Sequence, residues 1–475
     1  MDCTFPEDAI MCHDSSPANP PSRREVLMGL AAAATLVRTR TLGASVPTVT
    51  SAPARPYLDA ALGAERWLRR HAITGGDTVG TTWAADPTEP KSVQDNMYSG
   101  SPGVVLFYLE LARATGDKAA LKAAEHGALF LRQRVMAGPD AWADENAGLY
   151  TGLAGVAYTL ERAHAATGNA ALRDAARQAV TMLVASAKPS GDGASWSASN
   201  DIISGSAGIG LTLLWAAKAL GMPEGIALAA RAGRSLLANG VESHGGLTWH
   251  ISPAVPRRYP NFSHGAGGVS YFLAALHQAT RERAFLDGAL KGAAYLQAVA
   301  TDTPGGGKMV FHSEPGNETL FYLSWCHGPS GTARLFDTLA AVTSKREFGE
   351  FSRQLDVATR DMKVPEQSPG FWNNVSKCCG NCGVAEHFVA RYERTGDTRH
   401  LDYARTIADD VIRRATPDGD GLKWIQAEHR VQPTNLVAQT GLMQGAAGVG
   451  LAMLHLDGAM HKRRAFIVLP DAPTG

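Results

Sequence analysis

Seven times in this chain a Gly-x-x-Gly step opens an apolar run of helical length, and a pattern repeated that often leaves few folds open. The copies read "YSGSPGVVLFYLELARATGD", "YTGLAGVAYTLERAHAATGN", "ISGSAGIGLTLLWAAKALG", "SHGAGGVSYFLAALHQAT", "CHGPSGTARLFDTLAAVT", "CCGNCGVAEHFVARYERTGD" and "MQGAAGVGLAMLHLDG". Their leading glycines are Gly100, Gly152, Gly205, Gly265, Gly328, Gly380 and Gly445, spaced by about 50 to 65 residues. Between them lie two-faced segments such as "AALKAAEHGALFLRQRV" and "RHLDYARTIADDVIRRA", polar on one side. Helices apolar all round alternate with amphipathic ones, which predicts an all-α fold: an α/α toroid of about seven inner and seven outer helices, the first outer one being "YLDAALGAERWLRRHA". An open superhelix is the other arrangement the pattern allows. The double glycine is expected to let each inner helix start close to its neighbours, with backbone N–H groups facing the central cavity.

Equal numbers of basic and acidic side chains, 45 of each, give no field that would draw the chain to nucleic acid or anionic lipid, and 45% hydrophobic residues suffice for a large core. The amino terminus departs from this soluble globular character. Arg23 and Arg24 precede the short apolar run in "SRREVLMGLAAAATLV", and Ala52-Pro53-Ala54 is an acceptable processing site. Residues 1–54 therefore read as a twin-arginine-type signal and linker, 55–460 as the toroid and 461–475 as a tail, with export as the expected localisation, the cytoplasm if the leader is not processed, and no stable membrane span afterwards. Cys3 and Cys12 would leave with the leader. Cys326, Cys378, Cys379 and Cys382 would remain.

The residues just before each Gly-x-x-Gly share one mouth of such a barrel. Tyr98-Ser99, Tyr150-Thr151, Ile203-Ser204 and Met443-Gln444 read there as inert. Ser263-His264, Cys326-His327 and Cys378-Cys379, in three consecutive repeats, carry residue types that bind metal or move protons. Zinc with three protein ligands keeps a position open for chemistry, whereas adding Cys382, in C-x2-C relation to Cys379, would make a closed structural site. Disulfides among the four are a third possibility, with a vicinal Cys378–Cys379 bridge disfavoured by strain.

The stretches "WCHGPSG", "CCGNCG", "SHGAGG" and "NDIISGSAG" resemble the lanthionine synthetase C (LanC) family of thioether-forming cyclases, over about residues 57 to 458. The resemblance implies a catalytic zinc held by Cys326, Cys378 and Cys379, a catalytic histidine at His264 and its acidic partner at Asp201. Cys379 stands where histidine is frequent, which is the pattern of a smaller all-cysteine subgroup. Tyr322 stands where many members have arginine. The expected activity is addition of a thiol to a dehydrated Ser or Thr residue of a peptide, the substrate being a dehydrated peptide or a small thiol and the dehydratase a separate partner. His264 would deliver a proton and Asp201 would orient it, against the plainer readings of a core histidine and a helix N-cap. His327 is expected beside the metal, and Trp325 and Trp372 in core or cavity wall. A non-catalytic zinc scaffold and a carbohydrate-active toroid are the competing functions.

Overall fold

The computed structural model describes residues 54–75, 78–142, 144–366 and 371–472. Most of the segment read as a signal and linker lies outside them, and the compact unit begins at Pro56. Fourteen α-helices follow in order: α1 (Pro56–Arg70), α2 (Ser101–Thr115), α3 (Lys118–Met136), α4 (Leu153–Thr167), α5 (Ala170–Ala185), α6 (Ser206–Ala219), α7 (Glu224–Ala238), α8 (Ala266–Thr280), α9 (Arg283–Ala298), α10 (Pro329–Thr343), α11 (Arg346–Asp361), α12 (Asn381–Thr395), α13 (Thr398–Arg413) and α14 (Ala446–Met460). The even-numbered helices pack side by side as an inner ring, and α14 returns to pack on α2, so the ring is closed. Each outer helix lies on one inner helix, with α1 on α14. The fold is the expected α/α toroid.

Local sequence explains the inner-to-outer turns. In "TGD" and "TGN" the glycine takes the left-handed conformation that ends the inner helix, at φ +74° for Gly116, and the next side chain caps the outer one. Asp117, Asn169 and Asp397 each accept from the N–H two residues on. The return runs through short two-stranded hairpins, such as Thr416–Asp418 with Gly421–Lys423, too brief to leave an alternating pattern in the sequence. The tryptophan that ends or follows such a hairpin is buried and donates to a carbonyl near the end of an outer helix: Trp83 to Leu68, Trp196 to Leu183, Trp249 to Leu236 and Trp424 to Val411.

The glycine-led turns are joined by main-chain hydrogen bonds that run all the way round. Tyr98 N–H donates to Tyr150 O and Tyr150 N–H to Ile203 O; Ile202 then passes the chain of bonds to Ser263, Ser263 to Cys326, Cys326 to Cys378, Cys378 to Met443, and Met443 back to Tyr98 O. This belt places Cys326 and Cys378 at equivalent stations of neighbouring repeats.

The first N–H groups of the inner helices do not face the cavity as expected. Loop carbonyls seven residues upstream accept them, as Tyr259 O does from Ala266 N–H and Asn374 O from Asn381 N–H. The glycines make that fold-back possible: a Cβ on Gly265 would sit 1.4 Å from Tyr259 O, and one on Gly331 1.8 Å from Trp325 O.

The segment expected as a tail is docked. Glu110 of α2, fully buried, accepts from the N–H groups of Phe466 and Ile467 and from Arg463. Tyr158 of α4 donates to Val468 O, and Arg334 of α10 pairs with buried Asp471. Among the described residues no helix is long and apolar enough to cross a membrane.

Candidate metal centre

Cys326 and Cys378 sit on the belt, and Cys379 follows one residue later in the turn that starts α12. Their sulfurs all lie within 4.8 Å of one another, with Cys326 Sγ 3.4 Å from Cys379 Sγ. Tetrahedral Zn–S bonds of about 2.3 Å put sulfurs about 3.8 Å apart, so the donor set fits one soft divalent ion with little adjustment. Cys326 and Cys378 are buried; Cys379 is partly accessible. All four described cysteines are free thiols. Cys382 is wholly buried and its sulfur is not among those that converge, so the cluster is one of three cysteines.

The three thiols are electrostatically unlike. Burial raises Cys326, and hydrogen bonding to its two neighbours raises Cys378. Hydrogen bonds from those two thiols hold Cys379 well below the ordinary range.

One repeat round the ring from Cys326, and two from Cys379, His264 occupies the station equivalent to Cys379, with its side chain about a third exposed. Its Nδ1 lies 2.5 Å from Asp201 Oδ2. The other oxygen, Oδ1, accepts from the N–H groups of Ser204 and Gly205 at 2.8 Å. Burial alone would raise the Asp201 carboxyl; the bond and charge of His264, with those two N–H groups, outweigh it and hold the pKa below the usual range. Asp201 therefore both orders the loop before α6 and fixes Nδ1–H as the donor of His264, leaving Nε2 for other work.

His327 packs between the two parts of the site. Its ring stacks on His264 with centroids 5.5 Å apart and meets His312 at 4.5 Å and Tyr322 at 5.4 Å. Tyr322 thus joins an aromatic wall with Tyr259 and His312. Burial, then the nearby Arg430 and Arg257, bring the His312 pKa down to about 3, so this ring is a neutral wall and not an acid. Trp325 is buried against Tyr150 and Phe262 beneath the belt.

Every expected site residue is at this mouth, and four others were not foreseen. His312 lies outside the glycine register and left no signal in the sequence. Glu428 is hydrogen-bonded by Gln439, and burial, helped by the charge of Cys379, raises its carboxyl pKa. Tyr98 and Gln444, read as inert, touch the cysteine cluster: the Gln444 side-chain N–H₂ is 2.9 Å from Tyr98 Oη and 3.7 Å from Cys379 Sγ.

Known proteins match this architecture. The structure is similar to that of a nisin cyclase, at 14% identity and a TM-score of 0.58, with 84% of this chain and 92% of that one covered. Weaker likenesses reach the Lin0763 protein of Listeria innocua (13% identity, 86% and 97% covered, TM-score 0.49) and an α-1,6-mannanase of Salegentibacter sp. HEL1_6 (11%, 85% and 99%, 0.46). At such identities the first likeness shows a shared fold. The family description "Lanthionine synthetase C-like protein" matches residues 91–467, and with the glycine-led toroid and the clustered cysteines this establishes that the chain belongs to the lanthionine synthetase C-like proteins.

Proposed function

We propose that this protein is a zinc-dependent, thioether-forming enzyme of the all-cysteine subgroup, adding a thiol to a dehydrated Ser or Thr residue of a peptide. The observation that carries the reading is the convergence of three cysteine sulfurs in the same belt of turns as the His264–Asp201 pair, with His327, next to Cys326, stacked on His264. Cys326, Cys378 and Cys379 would hold the ion, whose contribution when bound is to keep a substrate thiol deprotonated near neutral pH.

In the addition, sulfur bonds to the β-carbon of the dehydro residue, the double-bond electrons move to the α-carbon, and that carbon takes up one proton. His264 is the group placed to give it. Its Nδ1 is committed to Asp201, so a proton carried on Nε2 is the one available. Transfer leaves the imidazole neutral with Nδ1–H still bonded to the Asp201 carboxylate, and the proton released by the incoming thiol restores it. Buried His327 and the Tyr259, Tyr322 and His312 rings form the wall beside His264.

The paired arginines and apolar run of residues 1–54 support export by a twin-arginine route, which carries folded chains, and a separate dehydratase would have to supply the unsaturated residue. The test is to incubate the purified protein, with its metal content measured, with a dehydroalanine peptide and a thiol. Metal-dependent thioether formation above the uncatalysed rate is expected. Stoichiometric metal without any acceleration for intramolecular or added thiols would leave a zinc scaffold as the better account.

A further inference from the structure

The seam where the ring closes, between the first and last repeats, reaches into the cysteine cluster. Gln444 follows Met443 on the belt and is 2% exposed. Which end of its amide faces the sulfurs follows from a chain of bonds that begins at a group with no choice. The N–H of Val375 can only donate, and it donates to Gln426 Oε1 at 3.1 Å. Gln426 Nε2 is therefore a donor, and it gives hydrogen bonds to Gln444 O at 2.6 Å and to Gln444 Oε1 at 3.3 Å. That leaves Gln444 Nε2, with two N–H bonds, pointing at Tyr98 Oη and Cys379 Sγ. The Tyr98 hydroxyl, having accepted from Gln444, keeps its own hydrogen, and it interacts with Cys378.

We propose that Gln444, braced by Gln426 and partnered by Tyr98, is a positioning residue of the metal centre, whose N–H to Cys379 Sγ orients that sulfur and draws charge from it. The inference rests on the reading of the three cysteines as metal ligands. An N–H aimed at the sulfur fixes the direction in which its remaining lone pairs point, toward the other two cysteine sulfurs of the cluster. The same bond lowers the sulfur's electron donation, so the donor strength of a three-thiolate set is moderated from the ring-closing repeat. Groups that orient ligands in this way typically alter metal affinity by about 10- to 100-fold.

Cobalt(II) alone is the probe, added to the metal-free full chain, with affinity read by chelator competition and the sulfur-to-cobalt charge-transfer band read by absorption. Gln444→Met keeps the side-chain volume and removes the donor. It should bind cobalt about 10- to 100-fold more weakly and move the band to lower energy, because an unbonded thiolate gives up an electron more easily. Tyr98→Phe should shift the band in the same direction by less. Thr151→Val, at the equivalent station of repeat two and with a hydroxyl that makes no hydrogen bond among the described residues, should change neither. If wild type shows no charge-transfer band at all, the metal assignment itself fails. If wild type binds and both Gln444→Met and Tyr98→Phe match it in band and affinity, the positioning role is overturned. Should Gln444→Met not fold, Tyr98→Phe decides alone, and an unshifted band in it overturns the role.

Discussion

Asp201 divides its carboxylate between two tasks: Oδ2 lies 2.5 Å from His264 Nδ1, and Oδ1 holds the backbone N–H groups of Ser204 and Gly205. Changing either partner therefore has separable effects. His264→Asn should keep the fold and the metal and slow thioether formation by about 10²- to 10⁴-fold, the usual contribution of a positioned proton donor. Asp201→Asn should lower activity by less and also reduce stability by about 1 to 2 kcal/mol, since two charge-assisted backbone bonds become neutral ones. Single-turnover rates with a dehydroalanine peptide, alongside melting curves, check both; an unaffected rate in His264→Asn removes it from the mechanism.

Metal content separates the cysteines. Cys326→Ala, Cys378→Ala and Cys379→Ala should each purify with far less than one zinc per chain, whereas Cys382→Ala, outside the cluster, should retain it. Inductively coupled plasma mass spectrometry gives the ratio directly. Retention in Cys378→Ala, or loss in a folded Cys382→Ala, contradicts the ligand set.

The glycines divide by what surrounds them. Gly265→Ala places a methyl 1.4 Å from a carbonyl oxygen and should cost more than about 4 kcal/mol, enough to prevent accumulation of folded protein. Gly349→Ala, inside α11 with only Ala340 Cβ at 3.9 Å, should instead stabilise by up to about 1 kcal/mol through helix propensity. Thermal unfolding of the two variants is the comparison.

Acid should weaken the barrel through Glu386, which pairs with Lys377 and bonds His455 at 3.1 Å. Burial would raise its pKa, but Lys377 and then His455 outweigh it and bring it to about 2. A folded pKa below the unfolded value gives stability that is fully present above the unfolded pKa of about 4.3 and lost as pH falls toward 2. Glu386→Gln should accordingly be less stable than wild type at pH 7 by about 2 to 3 kcal/mol, with the gap narrowing between pH 4.5 and 3. Denaturant midpoints across that range measure it, and a gap independent of pH would assign the loss to packing.

How far the sequence led can be traced residue by residue. The seven Gly-x-x-Gly steps betrayed the ring because at every leading glycine a Cβ would sit within 2.5 Å of backbone, most severely at Gly265, and such a demand admits one residue type. Cys326, Cys378, Cys379 and His264 stood out because their residue types are rare and share one register. Gln444 and Tyr98 did not, since glutamine and tyrosine are common at inert positions, and the closure that brings them together joins residues 346 apart. The expectation of cavity-facing N–H groups failed for a related reason: carbonyls such as Tyr259 O that accept them belong to loops whose path no periodicity records.

The hydrogen-bond belt uses main-chain atoms alone, so it is indifferent to the side chain each station carries. Tyr98, Tyr150, Ile203, Ser263, Cys326, Cys378 and Met443 hang from the same frame although they span aromatic, aliphatic, hydroxyl and thiol side chains. Such a wheel separates inheritance of shape from inheritance of reactivity: a station can gain or lose a functional group by a single codon change without re-registering its neighbours. At stations five and six the bonds run from Cys326 N–H to Cys378 O and from Cys378 N–H to Met443 O, so the frame that fixes the two cysteines is independent of their sulfurs.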